Sequence, residues 1–502
     1  MTSTPAVGTT TPYSETNPDP MRFKALFVIA LAQLMIVLDA SIVNLAIPSA
    51  QADLGISPAD VQWIVTAYTL AFGGLLLLGG RIADYAGRKR VFIIGLVGFA
   101  AASLLGGLAP SAGLLFGARA AQGAFAALMA PAALALISVT FHDPKERAKA
   151  FGVFGAIAGG GAAIGLLAGG VLTEFLSWRW CLAVNTPIAI IAALLAVRFV
   201  RESSAHRLGH YDIAGAATVT LGLLSLVYGF TQAAPEGVQD SAHWTDPSTL
   251  VWFVAAAALL TAFVIIEVRS DHPLLPMRII LERNRAGAYL SSLIVGAGMF
   301  AMFLFLGLYM QVILGYSPVT AGFAFLPFSL GIIAGAGIAS NLLPRVGPRP
   351  LMIPGLVAGA AGMVWLAQLQ PDSDYLTHLL PAMLVMSVGM AFVFIPTASV
   401  ALHGAGNEDA GVASATMNTS QQIGGSLGTA LMSTVAVTAT SGYLAANGGL
   451  GAADMPAALT HGYVTAFWVG AALLVSAAII VAALIRIGPD AVKDETDPLL
   501  VH

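Results

Sequence analysis

The sequence predicts an all-α integral membrane protein of fourteen transmembrane helices, arranged as six, then two, then six. Three observations carry this prediction. The first is composition: 57% of the 502 residues are hydrophobic and 10% charged, where a soluble domain carries roughly 25% charge. Mean hydropathy is +0.83 over the whole length, which excludes a soluble enzyme and also a single anchor. The second is length: from Phe23 onward, apolar runs of 18 or more residues alternate with short polar breaks. Each run is long enough to cross a hydrocarbon core of ~30 Å as a helix. Such continuous runs exclude an outer-membrane barrel, whose strands alternate over ~10 residues. The third is charge. When the runs are threaded back and forth, 20 of the 22 Lys and Arg fall on one side, which is the cytoplasmic one.

The elements follow in order. Residues 1–20 are rich in Thr, Ser, Pro and Asn and lack the basic start and apolar core of a signal peptide, so residues 1–22 read as a disordered cytoplasmic tail. The first bundle, residues 23–200, holds runs at 23–48, 61–80, 91–109, 112–139, 149–172 and 181–200. The longest polar interruptions, at 201–211, 233–249 and 268–284, bracket the next two runs, 212–232 and 250–267. Residues 201–284 therefore read as two linking helices with flanking loops. The second bundle, residues 285–487, holds runs at 285–314, 318–343, 350–369, 378–403, 411–440 and 462–487, and residues 488–502 form a second cytoplasmic tail. The outer loop 233–249 carries Glu236, Asp240 and Asp246 and no Lys or Arg. A missed or extra span would invert the sign of every later loop, so the count is even and both termini lie inside. Two six-helix halves are the layout of a transporter built from repeats. The repeat itself is faint: Gly87 aligns with Gly347, but Asp84 meets Pro344 and Arg88 meets Pro348.

Several functions are excluded by what is missing. A net charge of −4 leaves no footprint for nucleic acid, and the single Cys181 forms no internal disulfide and fits no metal spacing. His142, His206 and His210 have no metal spacing either. There is no phosphate-binding glycine loop with Lys, hence no ATP-driven pumping, and no catalytic constellation of an enzyme. Arg outnumbers Lys 17 to 5 and Ala and Gly abound, which points to a G+C-rich bacterial source and its inner membrane.

Two charges stand apart. Asp39 is the acidic residue placed well inside a span, and a carboxylate in hydrocarbon reads as functional by default. It lies ~24 Å along helix 1 from the inner edge at 1.5 Å per residue. Arg119 is the one basic residue inside a span, ~10 Å below the outer edge of helix 4. One acid and one base at similar depth suggest a switchable ion pair. Gln33, Asn44, Trp63, Tyr68, Gln122, Asn418, Gln421 and Gln422 are the polar groups expected to share a substrate cavity with them. Phe300, Phe303, Tyr309 and Phe325 are expected to pack.

Five segments carry a resemblance. Between helices 2 and 3 runs Gly80-Arg-Ile-Ala-Asp84-Tyr-Ala-Gly87-Arg88-Lys89-Arg90. Helix 1 contains Leu38-Asp39-Ala-Ser-Ile-Val-Asn44-Leu-Ala-Ile-Pro48, and helix 4 contains Arg119-Ala-Ala-Gln122-Gly123 with Pro131 beyond. Helix 5 spaces Gly152, Gly161, Gly165, Gly169 and Gly170. Helix 13 contains Asn418-Thr-Ser-Gln421-Gln422-Ile-Gly424-Gly425. Together they resemble the major facilitator superfamily and, within it, the fourteen-helix drug:proton antiporter branch. One position departs: the family has Pro after the third glycine of helix 5, and here Leu166 stands there. The resemblance implies proton-coupled efflux of small hydrophobic neutral or monocationic compounds such as antibiotics and dyes, with a metabolite transporter of the same fold as the alternative. It implies proton coupling at Asp39 and Arg119, and a cytoplasmic latch at Gly80, Asp84, Gly87, Arg88 and Lys89. The energy source would be the proton gradient, with no cofactor and no metal. Partners would be a small molecule, protons and the bilayer, and the protein a monomer.

Overall fold

The structure is a computed structural model, and it describes residues 20–141, 143–203, 212–235, 242–270, 273–404, 410–447 and 454–489. Most of both tails, the acidic Glu236 and Asp240, and the histidines 142, 206 and 210 lie outside the described residues. Among the described residues every regular element is helical. Helices α1 to α7 are Arg22–Leu54, Trp63–Ala86, Arg88–Gly107, Ala112–Thr140, Pro144–Phe175, Trp180–Phe199 and Ile213–Ala233. Helices α8 to α14 are Pro247–Arg269, Arg283–Ile313, Pro318–Val346, Pro348–Leu366, Tyr375–Leu402, Ala410–Ala446 and Met455–Leu484. Each of the fourteen apolar runs is thus a helix. Thirteen are long and apolar enough to cross a membrane, and the apolar stretch of α5, Gly160–Phe175, is shorter.

The ends differ from the sequence reading in instructive ways. Helix α1 does not stop at Pro48 but keeps it inside and runs to Leu54, where Gly55 adopts a left-handed φ of 61° and closes the helix. A proline this near a helix end removes one hydrogen bond without stopping the chain, and buried neighbours compensate. Helix α14 likewise begins at Met455, ahead of the expected 462, with Pro456 in its first turn, where a missing N–H costs nothing. Helix α6 has a joint at Val184 between two shorter segments. Helix α9 finishes in a π-helical turn at Tyr309–Ile313.

Packing is local in each half. Helices α2 and α3 pack on α4, α1 on α5, and α3 on α6, while α9 packs on α13, α11 on α12 and α14, and α10 on α12. Helices α7 and α8 pair with each other, and α7 also touches α2 and α13. The halves meet where α2 packs on α13 and α5 on α10. One buried apolar cluster lies within α1 to α6, and a larger one joins α9 to α14 with the C-terminal part of α1. Large side chains such as Leu194, Val254 and Ile479 stay exposed on the outer surface, where lipid replaces protein as the apolar partner.

Candidate functional site

Asp39 sits midway along α1 and is fully buried. Both carboxylate oxygens are engaged. Arg119 Nη1 donates to Oδ2 at 2.7 Å, while Gln122 Nε2 and Asn185 Nδ2 donate to Oδ1 at 3.1 and 2.8 Å. Arg119 is itself held on three more sides. Its Nε donates to the Ile64 carbonyl at 2.9 Å, its Nη1 to Gln122 Oε1 at 2.9 Å, and its guanidinium lies 4.6 Å from the centre of the Tyr68 ring. Gln122 Nε2 also reaches Ser103 Oγ at 2.7 Å. The centre therefore draws side chains from five helices: α1, α2, α3, α4 and α6. The depths inferred from the sequence bring Asp39, Arg119 and Tyr68 together here.

The electrostatics follow from the burial. An isolated ion in such a medium costs several kcal/mol, and the pair is tolerable because each partner is also hydrogen-bonded. The neutral acceptors around Arg119 matter for change of state. If Asp39 takes a proton, the guanidinium still has Ile64 O, Gln122 Oε1 and the Tyr68 face, though no counter-charge. Asn185 and Ser103 were not singled out from the sequence. Uncharged polar residues are common in membrane helices, and the only signal for Asn185 was its place one turn inside a span. A second buried acid was also missed. Glu267, 2% exposed near the C-terminal end of α8, accepts the Leu275 N–H at 3.0 Å.

The other expected cavity groups divide. Gln122 and Tyr68 belong to the charged centre. Trp63 packs with Ala67, Val227 and Ala430, close to the Tyr228 ring, so it binds α2 to α7 and α13. Asn44 and Asn418 bond back to carbonyls of their own helices, and both remain partly exposed, as do Gln421 and Gln422. Gln33 is nearly buried on α1, 9% exposed. Phe303 packs between Phe325 and Phe328, and Phe300 against Gly425, as packing residues should.

The helix α5 glycines face two ways. A Cβ on Gly161, Gly165 or Gly169 would meet Val37, Ser41 or the Ile42 carbonyl of α1 at 3.0, 2.8 and 2.5 Å. These three form a stripe on the turns that carry Asp39. Gly170 alone of the five faces the other half, where a Cβ would lie 2.6 Å from the Pro318 carbonyl of α10. Gly152 has open space around it. Leu166, in place of the family proline, is buried, and its carbonyl approaches Gly322 of α10.

At the C-terminal end of α2, Asp84 Oδ1 accepts both Arg88 Nε and Nη2, at 3.1 and 2.8 Å. Gly87 turns the chain at φ 105°, and a side chain there would strike Glu202. Glu202 caps the start of α3 by accepting the Lys89 and Arg90 N–H groups at 3.0 and 3.2 Å, and Lys89 Nζ donates to Val197 O at 2.9 Å. Glu202 stands two residues past the end of the first bundle, and every other partner lies within it. Arg81 reaches outside it, donating to Pro273 O at 3.0 Å between α8 and α9. In the second half, Gly347 turns the chain between α10 and α11 with φ 81°. The repeat that is faint in letters is thus visible in backbone shape.

Comparison with known proteins adds a lineage. The family model described as Major Facilitator Superfamily matches residues 29–429. A puromycin resistance protein of Streptomyces alboniger is 49% identical over 91% of this chain and 90% of its own length. A cephamycin export protein of Amycolatopsis lactamdurans is 39% identical over 95% of this chain and 94% of its own. Among solved structures, an auto-inhibited POT family peptide transporter superposes with a TM-score of 0.67 at 16% identity, covering 93% of this chain and 98% of that one, a likeness of fold.

Proposed function

The chain belongs to the Major Facilitator Superfamily as a multi-pass membrane protein, and we propose that it is a proton-coupled exporter of small, largely apolar antibiotics and related compounds. Export of this kind is supported by what two of its relatives do, puromycin resistance and cephamycin export. The observation that carries the coupling is the fully buried Asp39–Arg119 pair, held by Gln122 and Asn185 at the middle of the first half. The cycle we propose is alternating access of two six-helix halves, with α7 and α8 as a linking pair. A proton from outside neutralises Asp39, Arg119 turns to its neutral acceptors, and the two states of this centre favour different conformations. Substrate leaves in exchange for the proton. The protein acts as a monomeric transporter in a bacterial inner membrane, with both termini in the cytoplasm, and draws on the proton gradient in place of a cofactor. Gln33, Asn44, Asn418, Gln421 and Gln422 are the groups we assign to the substrate path. The test is a drug-susceptibility panel with the gene expressed in a pump-deficient bacterium. Raised resistance to puromycin-like aminonucleosides or other small apolar antibiotics, abolished by a protonophore in efflux assays, is expected. Unchanged susceptibility across the panel with the protein present in the membrane contradicts the reading.

A further inference from the structure

The outer ends of α5 and α10 touch along one short line. Leu166 O approaches Gly322, Gly170 approaches Pro318 O, and one turn further Glu174 Oε2 accepts the Val319 N–H at 2.9 Å. The last contact completes a helix cap. Four N–H groups at a helix start lack partners within the helix. At α10, Pro318 has no N–H, Ser317 Oγ accepts from Thr320 at 3.3 Å, and Ser317 O accepts from Ala321 at 2.9 Å. Between these, Val319 N–H is satisfied by a carboxylate from the other half of the molecule. A negative charge at a helix N-terminus is stabilised by the helix dipole as well as by the hydrogen bond. Charged groups nearby do not compete for Glu174. On the same rim Asp53 of α1 is engaged by Arg179 and by Trp178 Nε1, and Asp374 caps its own turn through Leu376 and Thr377. Between Pro318 and Leu343, α10 has no charged residue, and the nearest other titratable side chain before it is Tyr316.

We propose that Glu174 is a positioning residue of the transport cycle: as a carboxylate it seals the outer ends of α5 and α10, and a proton arriving from outside releases the seal. Any outward opening between these helices has to break the Glu174–Val319 bond. A protonated carboxyl has no charge for the helix dipole and is a weaker acceptor, so the closed form loses its advantage when the outer compartment is acid. The external proton would then act twice, first opening the path at Glu174 and then neutralising Asp39. The inference rests on the alternating cycle proposed above, but it is tested without transport.

The test measures the distance between spin labels at Phe175→Cys and Phe323→Cys, positions 69% and 58% exposed at the outer ends of α5 and α10. The full chain is used in lipid nanodiscs without substrate. The parent carries Asp39→Asn, so that Asp39 contributes no pH response, and the native Cys181 is buried away from label. The parent is expected to be closed at alkaline and neutral pH and to gain a longer-distance population once the pH falls to about 4 or below, where an exposed glutamate takes up a proton. Glu174→Gln should raise that population at alkaline pH about three- to tenfold, the scale of a lost helix cap, and abolish its response to acid. Glu174→Asp, which keeps the carboxylate, should keep the acid response. A parent that stays closed in acid overturns the proposal, as does a Glu174→Gln variant that is closed at both pH values or keeps the parent's response. Failed export with a correct distance response would instead count against the proposed function.

Discussion

Among single residues of the charged centre, Arg119 is the one held from the most sides. The guanidinium serves Asp39, the Ile64 carbonyl, Gln122 and the Tyr68 ring from one planar group, which an ammonium cannot do. Arg119→Lys should therefore keep the charge but leave buried acceptors unmet, lowering stability by about 2 kcal/mol and impairing export. A Lys variant with wild-type melting temperature and transport would show that the fork geometry is dispensable. Asp39 and Arg119 were legible in the sequence because charge at mid-span is rare and its partner at equal depth was the only one available. Asn185 and Ser103 were not, since a neutral polar residue in a membrane helix carries no such signal until its neighbours are known. Glu267 escaped for another reason: it sits two residues from Arg269, where a span edge and a loop read alike.

At the scale of elements, α5 decides how α1 is positioned. Its glycine spacing was legible, but the periodicity alone could not say which helix the stripe meets. Gly161, Gly165 and Gly169 meet α1, within the same bundle, and Gly170 meets α10. Gly169→Ala places a methyl 2.5 Å from the Ile42 carbonyl, one turn from Asp39, so α1 must shift. Overpacking of this kind costs about 1–3 kcal/mol, and export should fall. Gly152→Ala, with open space around it, should leave melting temperature and export unchanged. Equal effects at the two positions in a thermal-shift and efflux comparison would show that close approach is not what the glycines provide. The loop after α2 leads to a separate expectation. Asp84→Asn or Arg88→Ala breaks the 2.8 Å pair at the C-terminal end of α2, far along the helix from Tyr68. Turnover should drop while substrate affinity in detergent survives. Lost affinity with normal turnover is the contrary result.

For the whole molecule, the number and order of the helices were legible because lipid on the outside requires long unbroken apolar runs, and the Lys and Arg asymmetry checks the count. Helix ends were less so. Pro48 looked like a stop but lies inside α1, and the one-turn helix Met277–Ile280 is too short to leave a periodic signal. The charge of the whole path bears on substrate choice. The centre opposes one acid with one base, and α10 offers no acid. A second buried positive charge would lack a partner, at a cost of several kcal/mol. Monovalent lipophilic cations should thus be exported better than matched divalent ones in the same cells, and equal or better export of the divalent member would indicate a further acid in the path. Coupling of protons to export at the Asp39 centre can be read in proteoliposomes under an imposed pH gradient. Wild-type protein should concentrate a monocationic dye against its gradient. Asp39→Asn, near in shape and still able to bond Gln122, should lose that uphill transport while keeping downhill exchange. An Asp39→Asn protein that concentrates the dye at the wild-type rate would contradict the account.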